Sequence, residues 1–128
     1  MNFIPINPTK DIYQATPDYI HAIAVDAPQR LLFVSGTMGL DTDGTPAETL
    51  DSQLQLIWRN ISTILQDAGG DIDNVVRVTS YLRHRDYMTA NQDARVSALG
   101  GRVVPCTTIV AETLSEDWLV EVEVIAAL

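Results

Sequence analysis

The sequence predicts an α+β fold in which two helices pack on one face of a mixed β-sheet. Three features lead to this prediction. Short segments rich in β-branched residues recur along the chain, two segments carry apolar residues at helical spacing, and each of those two is followed by a glycine pair. The predicted order is β-β-α-β-α-β-β with no linker or repeat, so we expect residues 1–128 to form a single domain.

The first half of the chain contains two predicted strands and a long helix. Residues 19–25 alternate loosely between apolar and polar types, and residues 30–36 form an apolar run that ends in glycine. From Leu50 onward, apolar residues recur at helical spacing. This pattern predicts an amphipathic helix that ends at Gly69 and Gly70.

The second half contains three predicted strands and a shorter helix. Residues 75–82 are rich in β-branched and aromatic side chains and predict a strand. Residues 86–99 predict the second helix, with Asp86 as its candidate N-cap. The last two strands are predicted over residues 107–111 and 118–126, joined by a polar segment.

The composition excludes several classes of partner and compartment. The net charge of −9, from 17 acidic and 8 basic residues, argues against nucleic acid, which is held mainly by Lys and Arg. No apolar run approaches the roughly 20 residues needed to cross a bilayer, and the first residues lack the features of a signal peptide. The single cysteine, Cys106, cannot form an internal disulfide. We therefore expect a cytoplasmic protein without a membrane or nucleic-acid partner.

The predicted strands carry more apolar positions than two helices are expected to cover. These positions include Val110, Val120, Val122 and Val124. A face that remained exposed would form a large apolar patch, which a closed oligomer can bury equally in every copy. We therefore expect a homo-oligomer with the sheets facing inward.

Six segments of the chain resemble, in order and spacing, segments of the RidA/YjgF family of small trimeric enamine and imine deaminases. Their sequences are PDY, LFVSGT, DAGG, VVRVTSYL, DYMTAN and VEVEVIA, over residues 17–19, 32–37, 67–70, 75–82, 86–91 and 120–126. The resemblance covers nearly the whole chain. It implies a chorismate-mutase-like fold, a homotrimer, and three clefts between subunits that bind a small-molecule substrate.

The resemblance also implies roles for individual residues. Glu121 corresponds to the acid that handles the hydrolytic water, and Tyr19, Ser35, Gly36 and Asn91 correspond to residues that shape the pocket. We add the backbone near Thr107 as a group that would hold developing charge.

Cys106 occupies the position of the family's arginine, which grips the substrate carboxylate with a bidentate fork. A lone cysteine in a strand is ordinarily a small half-buried hydrophobe, whereas in this position it could contact or attack an imine. A cysteine cannot supply the positive charge of an arginine. Arg83, Arg85 and Arg102 are therefore candidates for a replacement cation.

Glu121 and Glu123 are two residues apart and should share one face of the last strand. Such a pair fits a solvated or salt-bridged strand face as well as it fits acid–base catalysis. The resemblance selects Glu121. No phosphate-binding glycine loop or Cys/His ligand cluster occurs, so we expect no cofactor and no metal.

The leading hypothesis is a deaminase-like hydrolase that acts on the C=N bond of a small enamine or imine and releases ammonia, with Glu121 and Cys106 as catalytic residues. The alternative is a ligand-binding or regulatory trimer that kept the scaffold after losing the substrate-anchoring arginine. A third reading, ribonuclease activity ascribed to some relatives, is disfavoured by the excess of acidic residues.

Overall fold

The structure, a computed structural model, describes residues 1–128 and contains six strands and two α-helices. In chain order the elements are β1 (Asn2–Ile6), β2 (Ala22–Asp26), β3 (Leu31–Met38), α1 (Leu50–Asp67), β4 (Val75–Leu82), α2 (Met88–Ala98), β5 (Cys106–Val110) and β6 (Val120–Ala127). Neither helix is long and apolar enough to cross a membrane.

The main sheet is mixed, as predicted. Its strand order is β3-β6-β4-β5, in which β6 is antiparallel to both β3 and β4, and β5 is parallel to β4. β1 and β2 form a separate antiparallel pair. The sequence did not predict β1, since Pro5 interrupts its short apolar run and proline is tolerated only at a sheet edge.

The core lies between the sheet and the two helices. Alternate residues of β6 (Val120, Val122 and Val124) are at most 1% exposed and belong to the same apolar cluster as α1 residues such as Ile57 and Ile61. The expectation that these valines need a neighbouring subunit to cover them is therefore wrong, because the helices of their own chain bury them. Of the four valines, Val110 alone is largely exposed, at 55%.

Local signals explain where each helix begins. Thr49 caps α1 through a capping box with Ser52, which satisfies backbone groups at the first turn. α2 begins at Met88, after a 3-10 turn over Arg85–Tyr87. Asp86 is not the N-cap that the sequence predicted, because the His84 side chain accepts from the Asp86 backbone N–H and caps the turn instead.

The sheet face opposite the helices, here called the open face, carries both apolar and ionisable side chains. Phe33 on β3 is 71% exposed and Ile109 on β5 is 47% exposed. The strand register places Tyr81 of β4 opposite Glu121 of β6, and Thr79 opposite Glu123. Because alternate residues point to opposite faces, these acids lie on the open face while the neighbouring valines point to the helices.

Candidate functional site

Three of the predicted site residues, Tyr19, Asn91 and Cys106, line one cavity at the edge of the sheet. The cavity has a volume of about 260 Å³ and is also lined by Thr16, Asp18, Met88, Gln92, Arg95 and Thr108. We call it the Cys106 cavity. The backbone N–H of Ile20 donates to the carbonyl of Val104 at 3.5 Å, and this contact holds Tyr19 beside the start of β5.

The strand register places Cys106 on the helix side of the sheet. Cys106 pairs with Val78, which in turn pairs with Val124, and both of these valines are buried under the helices. Asn91 and Arg95 are four residues apart on α2 and therefore project from one face of that helix. The cavity thus lies between α2, β5 and the segment that precedes β2.

The Cys106 thiol is half-buried and donates to the carbonyl oxygen of Val104 at 3.2 Å. Burial raises the pKa of this thiol above its usual value of 9.0, and the charge of Arg95 opposes the rise only in part. No side-chain base contacts the sulfur. At neutral pH the thiol is therefore protonated, which makes it a weak nucleophile.

Arg95 is a functional candidate that the sequence analysis missed. Arg95 is buried, with 4% of the residue exposed, and its Nη2 donates to Asp18 Oδ2 at 2.6 Å. Asp18 also accepts a hydrogen bond from the Thr16 hydroxyl. The one sequence signal that could have found Arg95 is its helical spacing from Asn91, since the pairing with Asp18 spans 77 residues.

Two buried polar atoms of residues that line this cavity, Arg95 Nε and Asn91 Oδ1, have no hydrogen-bond partner within the chain. Asn91 is only 1% exposed. Buried polar groups are ordinarily satisfied, and leaving one without a partner costs about 1–3 kcal/mol. Both atoms are inaccessible to solvent, so neither is open to a ligand in the cavity.

None of the three candidate cations named from the sequence lines the Cys106 cavity. Arg83 donates through Nη1 to Thr113 and to the Ser115 carbonyl. Arg102 donates to the Ile72 and Val75 carbonyls, and burial lowers its pKa. Arg85 lies exposed in the turn before α2.

Glu121 and Gly36 line a second cavity, of about 390 Å³, together with Tyr81, Glu123 and residues 111–114. We call it the Glu121 cavity. A Cβ atom at position 36 would overlap Oε1 of Glu121, so the absence of a side chain allows the carboxylate to lie against strand β3.

Tyr81 lines the same cavity, and its hydroxyl donates to Glu123 at 2.7 Å. This hydrogen bond, together with burial and the charges of Glu123 and Glu121, raises the pKa of Tyr81. Glu121 receives no side-chain hydrogen bond, since the Tyr81 hydroxyl donates to Glu123.

The two remaining predicted site residues, Ser35 and Thr107, are exposed. Ser35 accepts through its carbonyl from the Thr37 hydroxyl at 3.0 Å. Thr107 pairs with Thr79 on the open face, and its hydroxyl accepts from Arg77 at 2.7 Å.

Within one chain, Cys106 and Glu121 face opposite sides of the sheet and line different cavities. The clefts between subunits that the family resemblance implies would place Tyr19 or Asn91 opposite Cys106 and Glu121 of a neighbouring subunit. For Cys106 this expectation is wrong, because Tyr19 and Asn91 share a cavity with Cys106 of their own chain. Glu121, in contrast, is separated from them by the sheet.

Comparison with known proteins identifies relatives along the whole chain. The sequence model described as endoribonuclease L-PSP matches residues 9–128. The chain is 41% identical over 51 residues to the RutC family protein YjgH of Escherichia coli, which is 40% of this chain and 39% of that protein. It is 34% identical over 65 residues to a RutC family protein of Aquifex aeolicus, half of each chain. The match thus spans about two fifths to half the length of these curated relatives.

The fold has a close counterpart among solved structures. A protein of unknown function of the conserved Rid protein family, YyfB from Yersinia pestis, superposes with a TM-score of 0.87. The two chains are 25% identical, and the match covers 100% of each.

Proposed function

Because the chain belongs to the endoribonuclease L-PSP family, whose members include the RidA/YjgF proteins, we propose that it hydrolyses the C=N bond of a small enamine or imine. The observation that carries the proposal is the Glu121 carboxylate, which lies against Gly36 at a cavity wall and has no hydrogen-bond donor from the chain. A carboxylate held in this way can accept a proton from a water molecule.

The reaction would proceed by addition of water to the imine carbon. Glu121 takes a proton from the attacking water and passes it to the imine nitrogen, which receives the C=N π electrons, so that a neutral carbinolamine forms. Glu121 then takes the hydroxyl proton of this intermediate and delivers it to the nitrogen as the C–N bond breaks, so the products are a carbonyl compound and ammonia. An enamine reaches the same imine by proton transfer to carbon.

The proposed catalytic unit is a homotrimer, in which the Cys106 cavity of one subunit adjoins the Glu121 cavity of the next. Two large apolar side chains of the open face, Phe33 on one edge strand and Ile109 on the other, are exposed, which supports burial of this face against a neighbouring subunit. The number of subunits comes from the family resemblance. Sedimentation at micromolar concentration should give a trimer, and a monomer would contradict the proposal.

A mixing experiment tests whether the site is shared. Glu121→Ala and Asn91→Ala chains should each be inactive alone, because each lacks one half of the cleft. Mixed trimers would recover some clefts with both residues intact, and activity should return. If no activity returns on mixing and subunit exchange is verified, each chain holds a complete site and the shared cleft is wrong.

The activity itself is tested by ammonia release from a panel of enamines and imines with and without carboxylates. We expect the wild-type protein to accelerate release and Glu121→Gln to abolish most of the acceleration, by about 10²-fold or more. Glu116→Gln is the matched control, since Glu116 is exposed and lines neither cavity. Failure of the wild-type protein on the whole panel would overturn the proposal.

A second candidate function is ligand binding or regulation without turnover. The cysteine at position 106 favours this second function, because the family's carboxylate-binding arginine is absent there. Arg95, the cation that lines the same cavity, is already paired with Asp18. Cys106→Arg discriminates between the two. If the wild-type protein is inactive and this variant gains 2-imino acid deaminase activity, the protein is a binding trimer on an otherwise intact catalytic scaffold.

A further inference from the structure

Arg95 keeps one hydrogen-bond donor free at the wall of the Cys106 cavity. Its Nη2 is taken by Asp18, at 2.6 Å, and its Nε is closed off from solvent. Its Nη1 donates to no atom of the chain and, unlike Nε, retains accessible surface. Because only 4% of the residue is exposed, the guanidinium is held in place by its surroundings and its open edge meets the cavity.

Asn91 adds a second donor one helical turn away. The residue is 1% exposed, and its Nδ2 has no partner in the chain but, unlike Oδ1, retains accessible surface. Asn91 and Arg95 are four residues apart on α2 and line the same cavity, so their free N–H groups lie on one face of the helix. Both donors are therefore available to an acceptor on a ligand.

The charge of Arg95 acts in the space beside the Cys106 thiol. Burial raises the pKa of Cys106, and the charge of Arg95 opposes this rise more than that of Arg77 does. No other arginine lines the cavity. A guanidinium thus faces the thiol although position 106 itself carries no charge, and it comes from α2 rather than from β5.

Asp18 weakens the attraction of this cation for an anion without closing the site. Its carboxylate occupies only Nη2 of Arg95 and also accepts from the Thr16 hydroxyl. A ligand oxygen on Nη1 would touch the guanidinium directly while Asp18 stays on the other nitrogen, so attraction exceeds repulsion because Coulomb energy falls with distance. A carboxylate offers an oxygen to each of the two donors, whereas a carboxamide has one oxygen for both and an NH₂ group that only donates.

We propose that Arg95 determines the ligand specificity of the Cys106 cavity, in that Arg95 Nη1 and Asn91 Nδ2 hold the carboxylate of a small substrate and Asp18 limits how tightly it binds. The inference rests on the proposed function and assigns the anchoring of its substrate to a residue of α2. Water converts the bound 2-imino acid to the 2-oxo acid and ammonia, and the carboxylate itself is unchanged. The volume of about 260 Å³ fits a small ligand.

Calorimetric titration with pyruvate, a small 2-oxo acid of the kind that this hydrolysis releases, tests the inference without turnover. Pyruvamide is the matched ligand, since it has the same number of heavy atoms and no charge. We expect pyruvate to bind the wild-type protein at least about 10-fold more tightly, the ratio that a preference of roughly 1.4 kcal/mol produces. Equal or tighter binding of pyruvamide, or no binding of pyruvate, would overturn the inference.

Two variants without the Asp18 carboxylate isolate the contribution of Arg95. Asp18→Asn frees the guanidinium, so pyruvate should bind about 10-fold more tightly than to the wild-type protein. Asp18→Asn/Arg95→Gln removes both charges and leaves no buried charge without a partner, so the fold should persist. This double variant should bind pyruvate at least about 100-fold more weakly than Asp18→Asn and lose the preference over pyruvamide. Unchanged preference in the folded double variant would contradict the role of Arg95.

Asp93→Asn is the matched control for the change in net charge. Asp93 is exposed on α2, forms no ion pair and does not line the Cys106 cavity, so this variant should bind pyruvate as the wild-type protein does. If Asp93→Asn tightens binding as much as Asp18→Asn, the effect belongs to the overall charge and the assignment to the Arg95–Asp18 pair is wrong.

Binding and turnover fail independently. If pyruvate binds as expected and no imine is hydrolysed, the Arg95 site stands and the deaminase function is wrong. If imines are hydrolysed and the double variant keeps the wild-type KM for 2-imino acids, the deaminase function stands and Arg95 is not the anchor.

Discussion

At the scale of single residues, the proposed active site depends on a glycine, Gly36, that leaves room for the carboxylate of Glu121. Glu121 lies where a side chain at position 36 would be, so the two residues act as a unit although they are on different strands. Sequence analysis selected both residues through the family resemblance, but their contact is visible only in the folded chain.

Gly36→Ala should therefore impair catalysis more than folding. The new methyl group would overlap the carboxylate of Glu121, and that flexible side chain can rotate away. We expect kcat for imine hydrolysis to fall by about 10²-fold, as for other misplaced catalytic groups, with only a small change in Tm. Steady-state kinetics and a thermal scan measure the two effects. Wild-type turnover in the alanine variant would show that Glu121 does not need this position.

The state of the Cys106 thiol can be measured directly. Because burial disfavours the thiolate, the pKa of Cys106 lies above 9.0 in the folded protein, and alkylation by iodoacetamide should be slow at pH 7. The folded chain then binds the thiol proton more tightly than the unfolded chain, so this group lowers stability as the pH rises through the unfolded value. Mass spectrometry of adducts across pH tests this, with unfolded protein as the control. A midpoint below that of the unfolded chain would reveal an activated thiol.

At the scale of elements, alternate residues of β6 point to opposite faces of the sheet and so serve either the core or the open face. Val120, Val122 and Val124 pack on the helices, while Glu121 and Glu123 face the open side of the sheet. The same strand thus supplies both core and site, and a shift of its register by one residue would exchange them.

Val122→Ala should destabilise the fold because Val122 is fully buried among the core residues. We expect a loss of about 2 kcal/mol in the free energy of unfolding, from lost apolar burial and the cavity left behind. Val110→Ala is the matched control, since Val110 is 55% exposed and should lose far less. Chemical denaturation measures both variants. Equal losses would mean that Val110 is buried in an assembly under the conditions used.

At the scale of the whole molecule, the net charge of the chain disfavours the RNA cleavage that the family's name, endoribonuclease L-PSP, suggests. The chain carries a net charge of −9. In its basic run Arg83-His84-Arg85, the Arg83 guanidinium already donates to the carbonyls of Thr113 and Ser115. A surface of this sign repels phosphates, which basic side chains must neutralise for binding.

We therefore expect no binding to single-stranded RNA at physiological salt and no RNA cleavage. Fluorescence anisotropy with a labelled oligonucleotide and a gel-based cleavage assay test the two statements, with Glu121→Ala as the control for contaminating nuclease. Cleavage by the wild-type protein that disappears in this variant would contradict the expectation.

Local patterns determined much of the architecture. Helical spacing from Leu50 and β-branched runs such as residues 75–82 predict elements close to the observed α1 and β4, because both signals depend only on near neighbours. β1 was missed since its proline weakens the strand signal. Helix α2 begins two residues later than predicted, at Met88 rather than Asp86, because the His84 side chain caps a separate turn before it.

By itself, the sequence determined the fold class and the family, and five of its seven predicted site residues line the two cavities. Only the tertiary structure decided that Arg95, rather than Arg83, Arg85 or Arg102, lies beside Cys106, and that Asp18 neutralises it. It also decided that Cys106 and Glu121 lie on opposite sides of the sheet. The physical reason is that periodicity is a short-range property, whereas an ion pair between residues 77 apart and the register of non-adjacent strands exist only once the chain has packed.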